Sequence, residues 1–106
     1  MPEADRPFPT YCFSVFAAVE ASVMPRVLEQ FAKRGVVPSR FEAALAGPGD
    51  DEMTVDVQVA GLLPETAEHI AQSLRQMVYV DRVLTAVRSS RPADVGGRAR
   101  LVETRR

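Results

Sequence analysis

Few residues of this chain could do chemistry beyond packing. It holds one cysteine, Cys12, and one histidine, His69. A lone thiol closes no internal disulfide and builds no multi-thiolate metal site. Cys12 has no histidine predicted near it and sits in a strand-like run, so it reads as a small buried hydrophobe rather than a nucleophile. His69 would be the simplest general base near neutral pH. It falls beside the apolar stripe of a helix, where a surface side chain is the plainer reading. Asp50, Asp51 and Glu52 are consecutive carboxylates suited to a hard cation, yet no loop of spaced oxygen ligands surrounds them. They read as a solvated turn. Met24, Met53 and Met77 read as core filler, and no Gly-rich phosphate cradle follows a strand. The expectation is a chain without catalysis, metal or cofactor.

The elements that must position any site follow from composition and periodicity. The chain has 106 residues, 46% hydrophobic and 25% charged, with a formal net charge of −1. That is one ordinary globular domain. The longest uncharged stretch, Pro7 to Val19, is too short to cross a bilayer and has no basic lead. A cytoplasmic protein with neither membrane span nor signal peptide is expected. Residues 1–87 carry seven basic against twelve acidic side chains, and residues 88–106 carry six arginines against two acids. An acidic body is a poor partner for phosphate backbones, so no nucleic-acid partner is expected. Residues 1–9 read as an N-terminal extension, 10–87 as the domain, and 88–106 as a basic, flexible tail. The apolar centre of that tail, Leu101-Val102, is able to pair as an edge strand.

Tyr11 to Val19 is dense in Tyr, Phe and Val and reads as a buried central strand. Ser22 stands where a helix N-cap belongs, with Pro25 in the first turn. Met24, Val27, Leu28 and Phe31 form one apolar stripe of a helix over roughly Met24 to Arg34, which Gly35 ends. Ser39 to Ala46 alternates, as does Met53 to Val59, and Gly47-Pro-Gly-Asp-Asp joins them as a hairpin. Pro64 opens a second helix whose buried face is traced by Leu63, Ala67, Ile70, Ala71, Leu74, Met77 and Val78. Val78 to Val87 reads as the last strand.

The order is β-α-β-β-α-β. Right-handed crossovers put both helices on one face of the sheet. The predicted fold is therefore α+β, a ferredoxin-like βαββαβ sandwich with a four-stranded antiparallel sheet and two helices on one face. The other face, with Cys12, Ser14, Phe16, Arg40, Glu42, Thr54, Asp56 and Gln58, is left open to a second copy or a larger partner. A metallochaperone of this fold needs Cys-x-x-Cys, which is missing. An RNA-binding module needs stacking aromatics on the third strand, and Met53–Val59 has none.

The run from Phe13 to Phe41 resembles an ACT domain, a small amino-acid-sensing regulatory module of the same element order. The resembling features are a strand, a short polar loop, a helix carrying Arg26-Val-Leu and then Phe31, and Arg34-Gly35 leading into the second strand. Thr54-Val-Asp-Val-Gln-Val59 and Val78-Tyr-Val-Asp-Arg-Val-Leu84 fit the third and fourth strands. Within the family the sequence is most similar to the short single-domain small regulatory subunit of acetolactate synthase. The resemblance implies a homodimer, a catalytic subunit of a biosynthetic enzyme as partner, and a small branched-chain amino acid as effector.

One departure bears on ligand binding. Amino-acid-binding ACT domains usually carry Pro-Gly at the start of the first helix, where glycine lets backbone N–H groups approach a carboxylate. Here Arg26 follows Pro25. Backbone capture is weakened, and the Arg26 guanidinium offers a carboxylate partner instead. The resemblance places the ligand site at Glu20, Ala21, Ser22, Val23, Met24 and Arg26, with Val36 and Val37 of a neighbouring chain completing it. Two other readings stay open: a ligand-free dimerisation or interaction module, and a small dimeric enzyme using Glu42 and Asp56 on the open sheet face.

Overall fold

The computed structural model describes residues 9–88 and the backbone of residues 101–104. The elements run β1 (Thr10–Ala17), α1 (Val23–Ala32), β2 (Arg40–Ala46), β3 (Glu52–Val59), α2 (Pro64–Arg75), β4 (Val80–Arg88) and β5 (Leu101–Thr104). The sheet is antiparallel throughout, in the order β2-β3-β1-β4-β5. Its first four strands and the two helices are the expected ferredoxin-like sandwich. β5 adds an edge strand, pairing Leu101 with Arg88 and Thr104 with Thr85. Of the expected flexible tail and N-terminal extension, residues 89–100, 105–106 and 1–8 lie outside the described residues.

Side-chain alternation along β1 sorts the two faces. Phe13, Val15 and Ala17 are fully buried against the helices with Val55, Val57 and Val83 from the flanking strands. α1 contributes Val23, Val27 and Phe31, and α2 contributes Ala67, Ile70, Ala71 and Leu74. The Phe13 and Phe31 rings meet edge-on, with centroids 5.3 Å apart. Each large buried side chain contributes about 1.5–3 kcal/mol, so this face holds the molecule together.

The helix boundaries differ from the sequence reading in ways that matter for the site. The buried stripe of α1 is Val23, Val27 and Phe31, while Met24 and Leu28 are exposed. Ser22 occupies the N-cap position with helical dihedrals (φ −72°, ψ −12°) and makes no capping bond. Its side chain was free to cap only from extended backbone. Arg34 closes the other end, donating from Nη1 to the Gln30 carbonyl at 2.8 Å and from Nη2 to Ser73 Oγ at 3.1 Å. Gly35 takes φ +71°, the left-handed turn that ends the helix. α2 stops at Arg75, so Met77 and Val78 lie in the α2–β4 loop rather than on the helix. Leu63, expected on the buried face, is exposed at the N-cap.

Candidate functional site

Two surfaces outside the core carry the residues singled out in the sequence. The first is the open sheet face. Register brings Cys12, Gln58 and Arg40 into one row, Ser14, Asp56 and Glu42 into the next, and Phe16, Thr54 and Ala44 into the third. These side chains satisfy one another. Ser14 Oγ donates to Asp56 at 2.8 Å, Arg40 to Glu42 at 2.6 Å, and Arg88 to Gln58 at 2.9 Å. Arg82 lies 3.9 Å over the Phe16 ring. The two acids that an enzyme reading requires, Glu42 and Asp56, are thus both engaged.

Cys12 sits buried on this face, with Gln58 beside it on β3 and Ala86 on β4. Burial pushes its thiol above the ordinary value of 9.0; Arg88 pulls it down and Asp56 pushes it further up. The net rise leaves a protonated, weakly nucleophilic thiol at neutral pH. His69 is exposed on α2. Among the described residues no group of three or more His, Cys, Asp or Glu side chains could hold a metal ion.

The second surface is the end of the molecule where the β1–α1 loop meets the α2–β4 loop. The Ala18 N–H donates to the Tyr79 carbonyl at 2.9 Å and ties the two loops together. Beside that tie opens a cleft of about 310 Å³ lined by Ser22, Val23, Arg26, Met77, Val78 and Tyr79. This is the low end of the roughly 300–1,000 Å³ of small-molecule sites. Val78 is 82% exposed and Tyr79 42%, so one wall presents apolar surface to solvent.

The polar wall is the start of α1. The Val23 N–H is taken by the Glu20 carbonyl at 3.1 Å and the Arg26 N–H by the Ser22 carbonyl at 3.3 Å. Pro25 has no N–H. A helix start normally attracts acids, yet the first turn of α1 holds none. It holds Arg26, whose guanidinium has no polar partner among the described residues. A cation at the positive end of a helix dipole is unfavourable by about 0.3–1 kcal/mol unless an anion joins it. Chemically, the arrangement can take a carboxylate beside Arg26.

Of the residues singled out in the sequence, Ser22, Val23 and Arg26 line this cleft. Glu20, Ala21 and Met24 flank it without lining it. Val36 and Val37 follow the far end of α1, about 15 Å away along a ten-residue helix. Val37 is 84% exposed and does not belong to the same protomer's cleft. Met77, Val78 and Tyr79 also line the cleft and were not singled out for it in the sequence. Their signal was the overlap at Val78, claimed at once by the helical stripe and by the strand run; neither element holds it, and the chain turns there.

A protein-family model described as an ACT-like domain matches residues 9–91. The chain belongs to the ACT-like domain family. Three solved structures share the fold. The C-terminal domain of the MgtC protein from Mycobacterium tuberculosis superposes with a TM-score of 0.63 at 16% identity, covering 78% of this chain and 90% of that one. The ACT domain from GTP pyrophosphokinase of Chlorobium tepidum gives 0.59 at 9% identity, covering 72% and 95%. The regulatory subunit of aspartate kinase from Thermus thermophilus, in its ligand-free form, gives 0.55 at 12% identity, covering 84% and 64%. At these identities the likeness is one of fold. No curated protein sequence matches the chain. No helix among the described residues is long and apolar enough to cross a membrane.

Proposed function

We propose that this ACT-like domain is a non-catalytic regulatory module that binds a small amino acid in the cleft between the β1–α1 and α2–β4 loops. The observation that carries this reading is the Arg26 guanidinium at the start of α1, without a polar partner among the described residues and sharing the cleft with an apolar wall. The carboxylate of the effector bonds Arg26, and its aliphatic side chain lies on Met77 and Val78. Charge-assisted bonds of this kind are the strong ones.

The module acts as a homodimer, with Val36 and Val37 of the second copy closing the cleft. Edge strand β2, with no further strand beside it among the described residues, and exposed Leu45 sharing a shallow cleft with exposed Met24, support that reading. A ligand held between protomers favours one arrangement of an attached catalytic subunit over another. The sequence resemblance carries the finer choice: the partner is the catalytic subunit of acetolactate synthase and the effector a branched-chain amino acid.

Calorimetric titration with valine, leucine and isoleucine tests this. Saturable heat that disappears in Arg26→Ala is the expected result. No heat from any of the three, with co-purification of a large synthase, would leave a ligand-free interaction module in its place.

A further inference from the structure

An amino acid carries two charges, and the lining of the loop-end cleft answers one of them. Arg26 suits the carboxylate, but no acid lines the cleft to meet the ammonium group. The hydroxyls of Ser22 and Tyr79 are neutral. The backbone carbonyls of Glu20, Ser22, Met77 and Tyr79 already accept the N–H groups of Val23, Arg26, Val80 and Ala18. An ammonium group without an anionic partner loses hydration that neutral groups replace poorly.

The missing acid stands in the loop that builds the polar wall. The Glu20 carbonyl takes the Val23 N–H at 3.1 Å and closes a turn over Ala21 and Ser22. Such a turn holds its end residues within about 7 Å, Cα to Cα, so Glu20 stands beside the cleft-lining Val23. Its side chain is exposed. Glu20 and Arg26 are opposite charges flanking Ser22 and Val23, yet they are not joined: among the described residues the ion pair is Arg40–Glu42. Other acids are worse placed. Asp81 lines a separate cleft with Arg75 and Arg82, and Glu29 lies about 9 Å along α1 from Val23.

We propose that Glu20 is the specificity-determining residue of the cleft: its carboxylate takes the ammonium group of the effector while Arg26 takes the carboxylate, so the site selects a zwitterion over the same carboxylic acid without its amine. This rests on the amino-acid reading of the cleft. The turn places the two side chains on either side of one short segment, and a ligand bearing both charges joins what the free protein leaves apart. Each contact is charge-assisted. A site that bonds a polar group of its ligand discriminates against the analogue lacking it. Both side chains belong to an open surface, so solvent and salt screen them and the discrimination is modest.

The test is a calorimetric titration of the full chain with L-valine and with 3-methylbutanoate, the same molecule without its amine, in the native protein and in Glu20→Gln. Glu20 is exposed, so the variant should keep the native thermal midpoint. The native chain should bind L-valine about tenfold more tightly than 3-methylbutanoate, and E20Q should remove that margin by weakening L-valine alone. Equal binding of the two ligands by the native chain, unchanged L-valine affinity in E20Q, or an equal loss for both ligands would overturn the proposal and leave the amino-acid reading of the cleft standing. Binding of 3-methylbutanoate without L-valine, or of neither, would overturn both.

Discussion

The open sheet face and the loop-end cleft are both outside the core, yet they handle polarity in opposite ways. On the sheet face Ser14 is bonded to Asp56, Arg40 to Glu42 and Arg88 to Gln58, and Arg82 is stacked on Phe16. Among the described residues little is left there to attract a ligand. In the cleft Arg26 has no partner among the described residues, the first turn of α1 has no acid, and Val78 stands in solvent. Satisfied polar groups specify a surface, and unsatisfied ones specify a partner. In this small fold the difference is what singles out the cleft for the proposed site.

The comparison can be broken most forcefully from beneath. Phe31→Ala removes the ring that anchors α1 on Phe13 and should cost about 3–5 kcal/mol in chemical denaturation, taking the cleft and the sheet face down together. Arg26→Ala should leave the thermal midpoint nearly unchanged, since exposed substitutions stay within about 0.5 kcal/mol. It should weaken amino-acid binding by about tenfold or more in the titration above. Asp56→Ala should do the reverse: about 1 kcal/mol of stability is lost with the Ser14 bond, and effector affinity is untouched. A change of affinity in Asp56→Ala would erase the distinction between the surfaces.

The smallest effect is at Cys12. Its folded-state pKa is raised, chiefly by burial. A raised value means that the folded chain holds the proton more tightly than the unfolded one. Its stabilising contribution is complete below pH 9.0, the ordinary value, and is lost as pH climbs through the folded-state value. Iodoacetamide labelling at neutral pH should therefore be slow in the folded protein and speed up on unfolding.

Much of the fold was legible because local signals agreed. Alternation in Met53–Val59, Pro64 ahead of an apolar stripe and Gly35 after one each name an element, and right-handed crossovers then fix both helices to one face. The misreadings share a cause. Periodicity reports which residues lie on a stripe, not how wide a stripe the sheet can cover. Met24 and Leu28 fit the α1 pattern but are exposed, Met24 over a shallow cleft that it shares with Ala43 and Leu45 of edge strand β2. Val78 fits two periods and belongs to neither. The candidate cleft was legible in part: Arg26 stood out by charge at a helix start, whereas Met77 and Tyr79 enter the cleft only because β4 lies beside β1, a long-range pairing that no local pattern displays.

Chemical-shift mapping of the labelled chain during a titration with L-valine tests the central claim most directly. Saturable shifts at Ser22, Val23 and Arg26 and at Met77, Val78 and Tyr79, with Ser14, Asp56 and Gln58 silent, are the predicted outcome. Shifts centred on the open sheet face, with the two loops unmoved, would contradict it.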